Sequence, residues 1–284
     1  MNGTAVAPAA GTVLNALATG RGAAFALGLY TTATVELTDE TGVTGAIAGA
    51  PDADTRLIEG CVSRVTRGFG DGEGGHVRTE SEVPMAAGLK SSSAAANATV
   101  LATLDALGAV GELSREAAAR IGVEAAREAG VTVTGAFDDA SARMLGGLTV
   151  TDNETDELLD RATPDWGVVV WTPPDRAYSA AADVEACQRV APVARLVADL
   201  TLDGAYTEAM TVNGLAFCAA LGFSPAPIIE ALPDADGVSL SGTGPSFTAV
   251  GDSEDLAAVR EHWRARDGEV HTTHVQQEGA TADV

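Results

Sequence analysis

The sequence predicts an α+β fold in two layers, and three observations carry that prediction. Short β-branched stretches that alternate, such as TTATVELT at 31–38, stand between runs whose apolar residues recur at helical spacing. The two kinds of segment are mixed without the strict strand–helix–strand alternation of a parallel sheet. With 284 residues, 46% of them hydrophobic and 20% charged, the chain is long enough for two closely joined domains around a sizeable core.

Residues 8–30 are rich in Gly and Ala with few charges, which suits close packing of backbone against a ligand or another segment. After the strand at 31–38, Leu57, Cys61, Val65 and Phe69 mark a helix within 51–70, capped at Asp54 or Thr55. A second strand within 75–84 stops at Pro84. Val100, Leu101, Leu104 and Leu107 then mark a helix ending at Gly108, and the next helix is capped by Ser114 and stopped by Gly130. Residues 131–147 read as a loop leading into the strand LTVTD. The acidic stretch 153–165, with a proline near its end, reads as a solvated boundary, giving domains 1–155 and 156–284. The second half predicts a buried strand (WGVVVWTPP) and helical segments at 179–200, 205–222 and 224–232. A glycine-rich turn at 241–246 enters a strand, followed by a helix over about 254–265 and a closing strand at 269–275.

Forty acidic residues face 17 basic ones, for a net charge of −23. Lys90 is the sole lysine, so the other 16 cations are arginines. Such a surface repels nucleic acid and anionic membranes, both of which need cationic contacts. Excess carboxylate with lysine loss predicts adaptation to a salt-rich cytoplasm. No run approaches the roughly 18 apolar residues of a membrane span, and the N-terminal segment lacks the pattern of a secretory signal. Three widely spaced cysteines (Cys61, Cys187, Cys218) point to reduced, buried thiols in a cytoplasm. The four histidines show no metal-ligand spacing.

The stretch PMAAGLKSSSAAANATV, 84–100, carries the chemistry. No Gly-Lys pair exists, so the phosphate loop GxxxxGK[ST] is excluded on spacing. What remains is strand, proline, glycine and a serine-rich helix start. The first helical turn offers unpaired N–H groups and a partial positive charge, which suit a triphosphate. Serine hydroxyls there can bind Mg²⁺ that bridges phosphates. The competing reading, an N-capped core helix, needs one serine rather than three.

Pro84-x-x-x-Gly88-Leu89-Lys90-Ser91-Ser92-Ser93-Ala94 resembles the ATP-binding motif of the GHMP kinases, the superfamily of galactokinase, homoserine kinase and mevalonate kinase. The triple serine, GTVLNALATGRGAAFALGL near the N-terminus and TGAFDDA in the middle are similar to the archaeal type of shikimate kinase within it. SLSGTGPSFTAV corresponds to the superfamily's third, glycine-rich motif. The resemblance implies two α+β domains with the active site in the cleft between them. The N-terminal one is akin to the second domain of ribosomal protein S5, and the C-terminal one is ferredoxin-like. It implies ATP and Mg²⁺ as cofactors and shikimate as acceptor. It also assigns nucleotide contacts to Ala86, Ala87, Gly88, Leu89, Lys90, Ser91, Ser92, Ser93, Ala94, Ala95 and Ala96.

A kinase acting on an alcohol needs a carboxylate beside the hydroxyl. Asp138 matches the superfamily's position for it, with Asp139 as runner-up and a helix-capping acidic pair as the bland reading. Mg²⁺ is expected on Ser92 and on Glu124, where the resemblance places a glutamate. Glu128 lies one turn on, and a surface pair with Arg120 or Arg127 is the alternative. Asn15 is a candidate for a ring hydroxyl of the acceptor, and Arg21, the only basic residue before Arg56, for its carboxylate. Gly242 and Gly244 offer backbone amides to the phosphates or the substrate. The rivals to shikimate phosphorylation are the same fold acting on homoserine or mevalonate, and a non-catalytic nucleotide- or sugar-binding regulator.

Overall fold

The Gly/Ala-rich start of the chain is strand: β1 (Asn2–Leu14) and β2 (Arg21–Thr38) form one long antiparallel hairpin, paired from Asn2↔Glu36 to Leu14↔Ala23. Alternation hides this in the sequence because residues 7–16 and 22–27 are buried without a break, so both faces of the hairpin need small apolar side chains. The computed structural model describes residues 1–82, 89, 91–174 and 182–282.

β4 (Gly74–Ser81) pairs with the second half of β2, and β5 (Leu148–Asp152) with its first residues. β3 (Val43–Ile47) runs parallel to β4, β6 (Glu157–Ala162) extends β5, and the two-residue β11 (Thr281–Ala282) returns to β1, completing a seven-stranded sheet. Four helices, α1 (Arg56–Phe69), α2 (Ser91–Ala106), α3 (Arg115–Ala129) and α4 (Phe137–Leu145), enclose a core with Val35, Leu57, Val62, Leu101, Val123 and Phe137. A Cβ on Gly3 would lie 2.1 Å from the Ala102 carbonyl oxygen, so glycine there lets α2 settle onto β1.

The second sheet has the order β10-β7-β9-β8, antiparallel throughout, from β7 (Gly167–Thr172), β8 (Gly237–Leu240), β9 (Phe247–Gly251) and β10 (Glu269–His274). Helices α5 (Val184–Arg189), α6 (Ala191–Leu202), α7 (Tyr206–Leu221) and α8 (Ala226–Ala231) connect β7 to β8, and α9 (Leu256–Arg264) connects β9 to β10. That chain order is the ferredoxin-like split βαβ arrangement. Phe25, Leu27 and Leu148 of the first sheet share a cluster with Val168, Val170 and Met210 of the second half, so the two halves are joined by apolar contact.

Three expectations change. Residues 137–145 are helix rather than loop, because Gly135 (φ 85°) and Ala136 (φ 53°) turn the chain sharply and α4 starts at once. The helical segment expected over 179–200 is two helices in its described part, parted at Val190. Pro192 in the first turn of α6 lacks an N–H and excludes continuous helix upstream. A division at 155 would cut the β5–β6 hairpin; the sheets part between Ala162 and Gly167. Ser114 and Gly130 do bound α3: the Ser114 hydroxyl accepts the Ala117 N–H, and Gly130 is left-handed. The cysteines are free and buried. Burial pushes the Cys61 and Cys218 thiols up to about 12, which keeps them protonated and inert. Among the described residues, no helix is long and apolar enough to cross a membrane.

Candidate active site

Four segments marked in the sequence meet at one open pocket. Asn15 follows β1, Ser92 and Ser93 occupy the first turn of α2, residues 132–136 form the turn before α4, and Thr243 tips the turn between β8 and β9. The first three belong to the seven-stranded half and the last to the ferredoxin-like half, so the pocket spans both. Ser92 is exposed, and Ser91 and Ser93 are half-buried at the helix start. Leu89, Ala94 and Ala96 are buried in the interior and Ala95 is half-buried. Ala86, Ala87, Gly88 and Lys90 lie outside the described residues.

Asp138 sits in the first turn of α4 at 1% exposure. The Asn153 amide donates to its Oδ1 at 2.7 Å, and the Asp138 backbone N–H donates to Asn153 Oδ1 at 3.1 Å. The Asp138 carbonyl accepts the hydroxyls of Ser141 and Thr149. On the strand side, a Cβ built on Gly22 would stand 2.7 Å from the Asp138 carboxylate, so β2 can approach only as glycine. The preceding turn is tied by its own hydroxyls: Thr132 accepts the Gly135 N–H and Thr134 the Ala136 N–H. Among the described residues the α4 N-cap, Ala136, has no side-chain cap bond, so the acidic pair is not a cap: Asp138 is held from several directions behind a turn that lines the pocket.

Asp139 is equally buried, and Arg143, one helical turn on, is fully so. Burial pushes the Arg143 guanidinium below its usual value, while the charges of Asp139 and then Asp138 push it back up. One of its N–H groups donates to the Leu89 carbonyl at 2.7 Å, 54 residues away, while among the described residues Nε and Nη1 have no hydrogen-bond partner. A buried cation thus joins the acidic turn to the chain just ahead of the serine helix. Sequence reading missed Asn153 and Arg143. Asn153 lies in a stretch that reads as solvated, and a helical arginine ordinarily faces water.

Other site expectations meet a different geometry. Asn15 lines the pocket, but its amide donates to the Gly242 carbonyl at 2.7 Å and its Oδ1 accepts the Leu17 N–H, so it anchors the glycine turn. The Gly242 N–H donates to Thr12 Oγ1 and the Gly244 N–H to the Ser241 carbonyl; both amides are engaged within the protein, and Thr243 is the part of the turn that lines the pocket. Arg21 is exposed, and among the described residues it forms no ion pair. Strand alternation sends its side chain to the face opposite Gly22 and Asp138.

Glu124, expected at the metal, stands in an ion pair between two helices in this structure. Its carboxylate pairs with Arg64 of α1 at 2.6 Å and is 55% exposed, and Glu128 pairs with the same arginine. Both glutamates face α1, across α3 from the pocket-lining Ala126, so they stitch two helices together. Among the described residues, no group of three His, Cys, Asp or Glu side chains could hold a metal ion. The Ser92 and Ser93 hydroxyls are among the oxygen donors lining the pocket, with those of Thr132, Thr134 and Thr243, that suit a hard cation alongside phosphate oxygens.

A pocket between an S5-like half and a ferredoxin-like half, lined by a serine helix start and by the turn that leads into Asp138, is the arrangement of the GHMP class of phosphotransferases. The profile of the GHMP kinases N terminal domain matches residues 56–147. The fold is shared with the solved homoserine kinase of Cytophaga hutchinsonii, with a TM-score of 0.80 over 99% of this chain and 97% of that one at 18% identity. Sequence similarity reaches further. The shikimate kinase of Halobacterium salinarum is 65% identical over 99% of both chains, and that of Methanococcoides burtonii 48% identical over 98% of both. The chain belongs to the archaeal shikimate kinase family.

Proposed function

We propose that the chain phosphorylates shikimate at its 3-hydroxyl with ATP, giving shikimate 3-phosphate and ADP on the route to the aromatic amino acids. The observation that carries this reading is the convergence of Ser92, Ser93, the 132–136 turn and Thr243 on one pocket, with Asp138 fixed directly behind that turn. The N–H groups at the start of α2 and the serine hydroxyls bind the polyphosphate. Ser92 and Ser93 would hold Mg²⁺ together with phosphate oxygens; bound there, the ion neutralises phosphate charge. The hydroxyl oxygen of the acceptor bonds to the γ-phosphorus as the bond to the β–γ bridging oxygen breaks, and ADP departs with that electron pair. Asp138 takes the hydroxyl proton. Arg143 offsets part of the negative charge that Asp138 and Asp139 place in this turn. The protein works in a salt-rich cytoplasm.

A coupled ADP-release assay with ATP, Mg²⁺ and high KCl tests this against a panel of shikimate, homoserine and mevalonate. Turnover is expected with shikimate, and preference for another alcohol sinks the acceptor assignment. Asp138→Asn is expected to cut kcat by roughly 10²–10⁴-fold, the range of general-base contributions, with little change in ATP affinity. Equal losses in both would speak against the base role.

A further inference from the structure

Asn153 follows β5, in a stretch whose composition reads as surface, yet it is 2% exposed. Its side-chain amide is turned on Asp138 with both ends. Nδ2 donates to Asp138 Oδ1 at 2.7 Å, while Oδ1 accepts the Asp138 backbone N–H at 3.1 Å and the Thr151 hydroxyl at 2.8 Å. The two donors aimed at one end and the carboxylate at the other fix which atom is oxygen. The clamp is braced from α3: Arg127 donates to the Asn153 carbonyl at 3.1 Å and forks onto the Asp156 carboxylate. Only a side chain carrying an acceptor and a donor a carboxamide's width apart can grip Asp138 in this way; aspartate lacks the donor and alanine both. On the opposite side, the carboxylate occupies the space that any side chain at position 22 would need, so Gly22 is what admits it.

We propose that Asn153 is a positioning residue for the phosphoryl transfer. By holding the main-chain N–H and one carboxylate oxygen of Asp138 together, it fixes the orientation in which that carboxylate meets the acceptor hydroxyl. The inference rests on the reading of Asp138 as the base. It adds a group that reaches the reacting atoms through Asp138, with a longer contact of 3.4 Å from its Nδ2 to Thr134 Oγ1 in the pocket-lining turn. Proton transfer depends steeply on the alignment of donor and acceptor, and misplacement by about 1 Å can cost about 10²-fold in rate.

The test is a double-mutant cycle with Asn153→Asp and Asn153→Ala, each in the native and in the Asp138→Asn background. Asn153→Asp is nearly isosteric and keeps both acceptor contacts, so it carries the experiment if the alanine variant does not fold. In the native background, each variant is expected to lower kcat by about 10–100-fold with KM for ATP and shikimate within about threefold. In the Asp138→Asn background, the same changes should alter the residual rate by less than about twofold, because the group they act through is gone. Folded Asn153→Asp with native kcat, or the same rate factor in both backgrounds, overturns the proposal. Native turnover in Asp138→Asn alone overturns the base reading, and the positioning role falls with it; an inactive Asp138→Asn beside a fully active Asn153→Asp overturns the positioning role only.

Discussion

Arg143 shows what a single residue can be asked to do inside this fold. With no exposed surface, its guanidinium has lost hydration that costs several kcal/mol for a buried ion, and its compensation is Asp139, Asp138 and one backbone carbonyl. Replacing it with methionine keeps much of the volume but removes a buried cation that the charges of Asp139 and Asp138 both act on. Arg143→Met should therefore lose about 3–5 kcal/mol of stability in urea unfolding, the range for breaking a buried pair from one side. Arg143→Lys should lose less, since the charge stays while the bond to the Leu89 carbonyl is weakened. A methionine variant as stable as the native chain would show that the cation is not what balances the acidic turn.

At the level of elements, α2 and α3 divide their labour differently from the sequence expectation. α2 is buried along most of its length between β1, β2 and the neighbouring helices, and only its first turn reaches the pocket. α3 lines the pocket through Ala126 and turns Glu124 and Glu128 toward α1. The pair with Arg64 lies in partly exposed surroundings, where such contacts contribute about 0–1 kcal/mol. Glu124→Gln should therefore leave kcat and the Mg²⁺ activation curve unchanged and shift stability by no more than about 1 kcal/mol. A raised Mg²⁺ requirement in that variant would restore the glutamate to the metal site.

Over the whole molecule, the balance of 40 acidic against 17 basic residues means that the folded chain concentrates like charge. Self-repulsion opposes the compact state, and salt screens it over a Debye length that falls from about 30 Å at 0.01 M to about 3 Å at 1 M. Thermal melting across that range of KCl should give a Tm that rises steadily with salt. A flat curve would remove the case for salt adaptation. Because Phe25, Leu27 and Leu148 share a core with Val168, Val170 and Met210, the two halves are expected to melt in one transition.

Much of this was legible in the residues, and what was not has a physical cause. Local signals act over a few residues, so the Ser114 cap and Gly130 stop were enough for α3, and the serine run for the start of α2 at Ser91. The long hairpin stayed hidden because a strand buried on both faces loses its alternation, and α4 because its start is a left-handed alanine rather than a capping side chain. The sequence alone determined the kind of chemistry: which segments carry hydroxyls, carboxylates and glycines, and in what order. Only the folded chain decided which of them work together. Burial and reach across 54 residues from Leu89 to Arg143, or 15 from Asp138 to Asn153, are set by packing, and packing also turned Glu124 toward α1 and closed the Gly242 and Gly244 amides onto the protein itself.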